Sequence, residues 1–338
     1  MDAIDEASFS PAQRARREVY RSVALRHLGR PSESVEACRR ARDIAREPLD
    51  DPDPLFAELD LEEGIALGVS GQFDPARQRF ERAANGFAKL HDDHRCAESH
   101  DGLGLTLWHL GRLTDSLRAY PSAQQLWRAL GDLRPQITTM IGIADVQYML
   151  GDLATAHDSF NAVIQGSRDL RFARGEAYGQ LNLAAVEHDL GHLESAASLY
   201  TMALQAAQTF DDAILVADAT HGLAMVYREQ GEPARARALL EHGLRTVEHA
   251  GMLFYEAAFR GGLRTVLLGE ERTAEARPLL AEAVATAERS ASPQVPSRAR
   301  LRVAALHLRE RQRARASESL TETARSDRVD RLRPVPAH

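Results

Sequence analysis

LNLAAVEHDLGHLESAASLYTMAL, residues 181–204, decides the fold. Apolar and small side chains recur at i, i+4 and i+7 on both sides of Gly191, the stripe of an amphipathic helix. Two helices therefore flank one glycine, which suits the left-handed residue that commonly ends the first of such a pair. Ala184 stands seven residues before the glycine and Ala196 five after it. Small face thus meets small face in an antiparallel hairpin. Tyr200, nine after the glycine, is a large knob, and Ala203 at twelve is small again.

The unit recurs in both directions. Its anchors are Gly29, Gly71, Gly111, Gly151, Gly191 and Gly231, continued without glycine at Glu271 and Arg311, spaced 42 and then 40 apart. Five residues after the anchors stand Ser34, Ala76, Ser116, Ala156, Ala196, Ala236, Ala276 and Ala316, all small. Seven before come Ser22, Gly64, Gly104, Ala144, Ala184, Ala224, Arg264 and Ala304, with Arg264 the one misfit. The knobs at nine are Cys38, Phe80, Tyr120, Phe160, Tyr200, Leu240, Leu280 and Leu320. A period between about 20 and 50 residues marks a solenoid, in which each unit covers the apolar face of the next. The expected organisation is an N-terminal extension at 1–10, one array of about eight helix-turn-helix repeats over 11–327, and a disordered tail at 328–338. Asp152 or Thr114 is expected to help start a second helix. The longer junction PLDDPDP (48–54) reads as a tolerated loop insertion.

These columns resemble the tetratricopeptide repeat over roughly residues 16 to 327. The period of 40 departs from that family's usual length of about 34, and its proline near the end of the second helix is missing, so both helices are expected to run longer. Such long repeats resemble the sensor and scaffold halves of bacterial signal-transduction ATPase regulators, and scaffolds such as kinesin light chain. The resemblance implies an all-α α-solenoid forming a right-handed superhelix, with first helices lining a concave groove.

Composition narrows the function. Apolar residues are 44 % of the chain against 27 % charged, enough to bury a core. A net charge of −7 and a pI near 6.0 argue against a general nucleic-acid coat. Nucleic acid is expected only through a separate domain or the basic C-terminal repeat, where eleven arginines and five acids lie between Arg298 and Arg333. Two cysteines, Cys38 and Cys96, build no disulfide framework. The acidic, polar start and the lack of an 18-residue apolar run give the expectation of a cytoplasmic chain that does not enter a membrane. Lys89 is the sole lysine, an arginine bias that fits a GC-rich bacterial source. Phosphate-loop, dinucleotide, zinc-protease and hydrolase-elbow motifs are missing, so no enzyme and no cofactor are expected. HDDHRCAESH (91–100) collects metal-ligand types in a spacing that matches no zinc signature, and no metal is expected.

Binding chemistry gathers on the other face of the first helix. Three residues before the anchors stand Trp108, Tyr148, His188 and Arg228, and two before stand His109, Met149, Asp189 and Glu229. Asp145 stands six before, and Asp101 and His221 ten before. Nine before, Gly102, Gly142, Gly222 and Gly262 flank Asn182, which reads as a groove floor bare of side chains save one amide. Aromatic, amide and charged groups converging in a concavity suit recognition of a protein segment or peptide. The expected function is a non-enzymatic binding module, the sensor or scaffold part of a bacterial regulator, using the groove of repeats three to six. The alternative is a small-molecule-sensing domain of a transcriptional regulator using the same groove.

Overall fold

In a computed structural model of the chain, residues 9–46 and 52–290 are described, and every regular element among them is an α-helix. The first helices of repeats one to seven are α1 (Pro11–His27), α3 (Pro52–Val69), α5 (Asp93–His109), α7 (Leu133–Met149), α9 (Ala173–Asp189), α11 (Ala213–Glu229) and α13 (Leu253–Gly269). The second helices are α2 (Pro31–Ile44), α4 (Phe73–Lys89), α6 (Leu113–Leu130), α8 (Leu153–Asp169), α10 (Leu193–Thr209), α12 (Pro233–His249) and α14 (Thr273–Ser290). Residues 298–338, grouped apart from Met1–Ser297, lie outside the described residues, and with them the eighth repeat, its basic stretch and the tail. Part of the 48–54 junction also lies outside them, but Pro52–Pro54 open α3 and so are helix, not loop.

The period of 40 is twice 20. A left-handed residue stands every twenty residues from 71 to 271, so the turn between repeats is built like the turn within them. At Gly191 (φ 81°) the amide donates to the His188 carbonyl at 3.1 Å, and the His192 amide to the Glu187 carbonyl at 2.9 Å. At Arg171 (φ 49°) the pattern repeats, with Arg171 donating to Arg168 at 3.0 Å and Phe172 to Ser167 at 2.8 Å. This paired bonding satisfies two carbonyls that a helix end otherwise leaves orphaned. Asp152 starts α8 as expected, accepting from the Thr155 amide at 3.2 Å, whereas Thr114 lies inside α6, whose cap residue is Arg112. Arg171 has a Cβ in a conformation that favours glycine, as do His91, Asp211 and Glu271. Arg171→Gly should therefore raise stability by about 1 kcal/mol, read as a higher urea midpoint with an unchanged slope.

The small columns pack as their spacing requires. Ser34, Ala76, Ser116, Ala156, Ala196 and Ala236 are fully buried. The two serines are tolerated because each hydroxyl donates across the hairpin, Ser34 to the Ser22 carbonyl (2.9 Å) and Ser116 to that of Gly104 (2.7 Å). Two of the large knobs are clasped between glycines. Phe80 lies against Gly64 of its own first helix and Gly102 of the next, and Tyr120 in the same way against Gly104 and Gly142. First helices of neighbouring repeats also touch one another along the whole array, while no two second helices pack closely among the described residues. The first helices therefore form the inner row.

Candidate functional site

The inner face carries a ladder between repeats. Tyr148, near the end of α7, donates its hydroxyl to Asp189 Oδ2 of α9 at 2.7 Å. One repeat on, His188 Nε2 of α9 lies 3.0 Å from Glu229 Oε2 of α11. The rule is one of position: the residue three before one anchor meets the residue two before the next. Arg228 would come next, but the corresponding residue in repeat seven is Gly269, and the guanidinium turns to Glu229 of its own helix at 2.9 Å. At the other end Trp108 would face Met149, which offers no carboxylate. Tyr148, Met149, Asp189 and Arg228 are half-buried, whereas Trp108 and His188 are buried. His188 and His192 do not share a face, since His192 Nδ1 lies 2.7 Å from Glu187 Oε2, beside His157 on the second-helix side.

Other candidates belong to the junctions between repeats. Asp101 of α5 accepts from Trp127 Nε1 of α6 and from Thr139 Oγ1 of α7, both at 2.7 Å. Burial pushes its carboxyl up to about 6, against the pull of these two donors, and Glu98 adds repulsion. His109 stacks on Phe73 of the preceding second helix, rings 4.5 Å apart and 14° from parallel. His221 is buried edge-on to Phe259 of α13, 5.6 Å between centroids. Asp145 stays half-buried on α7.

The glycines nine before the anchors do not form a groove floor. A Cβ on Gly102 would fall 2.3 Å from a carbon of Phe80, on Gly142 2.6 Å from Tyr120, and on Gly222 2.4 Å from Tyr200. They seat the knobs of the preceding second helices. Asn182 holds this place in repeat five and is 7 % exposed, so it belongs to the same packed layer. The sequence reading also passed over residues on the inner face thirteen before the anchors. There Tyr178 donates to Asp212 of the next repeat at 3.4 Å, and Asp218 accepts from Tyr255 of the next at 3.2 Å. Stepping back one heptad from Ala185 or Met225 would have found them.

Among the described residues no group of three or more histidine, cysteine, aspartate or glutamate side chains is placed to hold a metal ion, and no helix is long and apolar enough to cross a membrane. The tetratricopeptide repeat family model matches residues 93–169 and 175–248, 151 of the 338. No curated protein matches the sequence. Among solved structures, the Rap conjugation gene regulator of the plasmid pLS20, in complex with the Phr* peptide, is similar at TM-score 0.63 and 16 % identity, covering 86 % of this chain and 78 % of that one. A Rap protein complexed with competence and sporulation factor is similar at 0.63 and 13 %, covering 91 % and 89 %. A signal-transduction ATPase with a tetratricopeptide repeat sensor, from Pyrococcus horikoshii, is similar at 0.61 and 12 %, covering 79 % of this chain and 40 % of that one. At such identities the likeness is one of fold. The matched repeats, the paired helices and these neighbours make the chain an α-solenoid of tetratricopeptide-like repeats.

Proposed function

We infer that this chain is a peptide-binding module of a regulator, without catalysis of its own, and that it takes an extended protein segment along the inner face of α5, α7, α9 and α11. The observation that carries this reading is the ladder. It ties three successive first helices, α7, α9 and α11, and the position that builds it carries an indole on α5, a phenol on α7, an imidazole on α9 and a guanidinium on α11. A row repeating at a constant step suits an extended chain, which offers side chains and carbonyls at regular intervals. Asp189 and Glu229 are each held by a group of the preceding repeat, as in a recognition surface built before its ligand arrives. The similarity of fold to a Rap regulator solved with a peptide supports the same direction.

Ala185 lies half-buried on α9, six before its anchor, in the middle of this face. Ala185→Trp fills the groove there and should lower the retention of a randomised heptapeptide library on the immobilised chain by about tenfold or more, a loss of ~1.4 kcal/mol. Met202→Trp, on the outer helix α10 at a residue already 39 % exposed, should leave retention unchanged. Equal retention by wild type and Ala185→Trp would place binding elsewhere.

A further inference from the structure

The first helices α5, α7, α9 and α11 each place a donor three residues before their anchor, and of these four only the middle two meet a carboxylate two before the next anchor. Tyr148 has Asp189 and His188 has Glu229. Arg228 folds back on Glu229. Trp108 is left. Its ring is 8 % exposed, and Nε1 is buried with no hydrogen-bond partner among the described residues. The neighbouring His109 ring approaches it edge-on, 5.0 Å between centroids and 73° between planes, a ring contact that leaves the N–H without an acceptor. The other indole of the chain shows the contrast. Trp127 Nε1 donates to Asp101 Oδ2 at 2.7 Å. A buried donor without an acceptor is costly and rare in folded chains, so an indole left in that state on a recognition face calls for an acceptor from outside.

We propose that Trp108 is a ligand donor: its N–H receives a carboxylate of a peptide lying along the first helices, in the place that Asp189 and Glu229 occupy one and two rungs further on. This rests on the peptide-groove reading above. The chemistry of the acceptor is argued from the row itself, since both filled rungs are closed by a carboxylate. By the same register the residue two before the next anchor is Met149, an unbranched thioether that brings no carboxylate and changes rotamer readily. A carboxylate comes either from the C-terminus of the peptide or from an Asp or Glu side chain within it. Seated on Trp108, it fixes one end of the bound segment at repeat three and with it the direction in which the segment runs.

With only two tryptophans, indole-15N labelling of the full chain yields two N–H resonances, and that of Trp127 serves as an internal reference. Three heptapeptide libraries are titrated in turn: free acids lacking Asp and Glu, C-terminal amides containing Asp and Glu, and amides lacking every carboxylate. The Trp108 proton should move downfield with the first or the second, which tells the two sources apart, and stay in place with the third. Trp108→Phe keeps the ring and removes the N–H. It should weaken the responding library by about tenfold or more, as expected for a hydrogen bond to a charged group, while melting at the wild-type temperature or above it. Met149→Glu supplies the carboxylate from the chain itself and should shift the Trp108 resonance with no peptide added and weaken binding as well. If peptides bind by calorimetry while Trp108 stays still, or if the carboxylate-free library moves it equally, the groove reading stands and this proposal falls. If no library binds at all, both fall.

Discussion

Gly102→Ala is expected to lower the stability of the chain by about 2 kcal/mol, and Phe80→Leu in the same chain to recover much of that loss. The added methyl would sit 2.3 Å from the Phe80 ring, far inside van der Waals contact. The ring has little room to yield, because it also lies against Gly64, and Phe80 itself is 4 % exposed. The array already contains the relaxed form of this contact. In repeat six the knob is Leu240, and the place 3.0 Å from its Cδ2 marks where a Cβ on Gly262 would go, a tight contact that a flexible methyl can relieve. The double variant copies that arrangement. Urea unfolding of the wild type, both single variants and the double variant gives the coupling directly. Additive losses would mean that Gly102 is needed for some reason other than the ring, and the bracketed-knob description of the repeat junction would be wrong.

That contact shows what the sequence could and could not convey. Small residues at five after and seven before each anchor fixed the hairpin, because a helix pair that approaches closely leaves a period-40 record in residue size. The glycines nine before the anchors left the same kind of record, and it was misread as an open groove. Size alone does not say which neighbour demands it, and here the demand comes from a knob in the preceding repeat. The turns between repeats were harder still. Gly131 and Gly251 announce themselves, but His91, Arg171 and Asp211 adopt the same left-handed backbone without being glycine, so a rule keyed to glycine finds two of these five turns. Tyr148, Asp189, His188 and Arg228 were legible as one surface because helical spacing fixes which face a residue takes. Their mutual pairing was not, since it depends on the offset between neighbouring first helices, a quantity set by packing. Asp101 fails for a related reason: its partners Trp127 and Thr139 lie 26 and 38 residues away, on two other helices.

Asp101→Asn is expected to raise stability at neutral pH by about 2 kcal/mol and to leave it nearly unchanged near pH 4. Burial holds the Asp101 carboxyl at about 6 in the folded chain against an ordinary 3.8, so the folded state binds this proton more tightly than the unfolded state does. The sign follows from linkage. Between roughly pH 4 and 6 the folded chain carries more of this proton, and stability falls as pH rises; above about 6 the loss is complete, and below about 4 it is absent. Asparagine has no charge to desolvate, and the geometry accepts it. Its Oδ1 can take the N–H of Trp127, while its Nδ2 donates to Thr139 Oγ1, whose single hydrogen then turns from residue 101 to the Pro135 carbonyl, 3.0 Å away. Glu98 repels the carboxylate, and losing that repulsion adds to the gain of the variant, whereas His94, which meets the Trp127 ring edge-on at 4.9 Å, remains in both chains. Urea midpoints measured from about pH 4 to pH 8 should therefore diverge through pH 6, with the variant the flatter curve. A variant less stable than wild type at every pH would mean that the two hydrogen bonds to an anionic Asp101 outweigh its burial, and that the junction between repeats three and four is held by a charge.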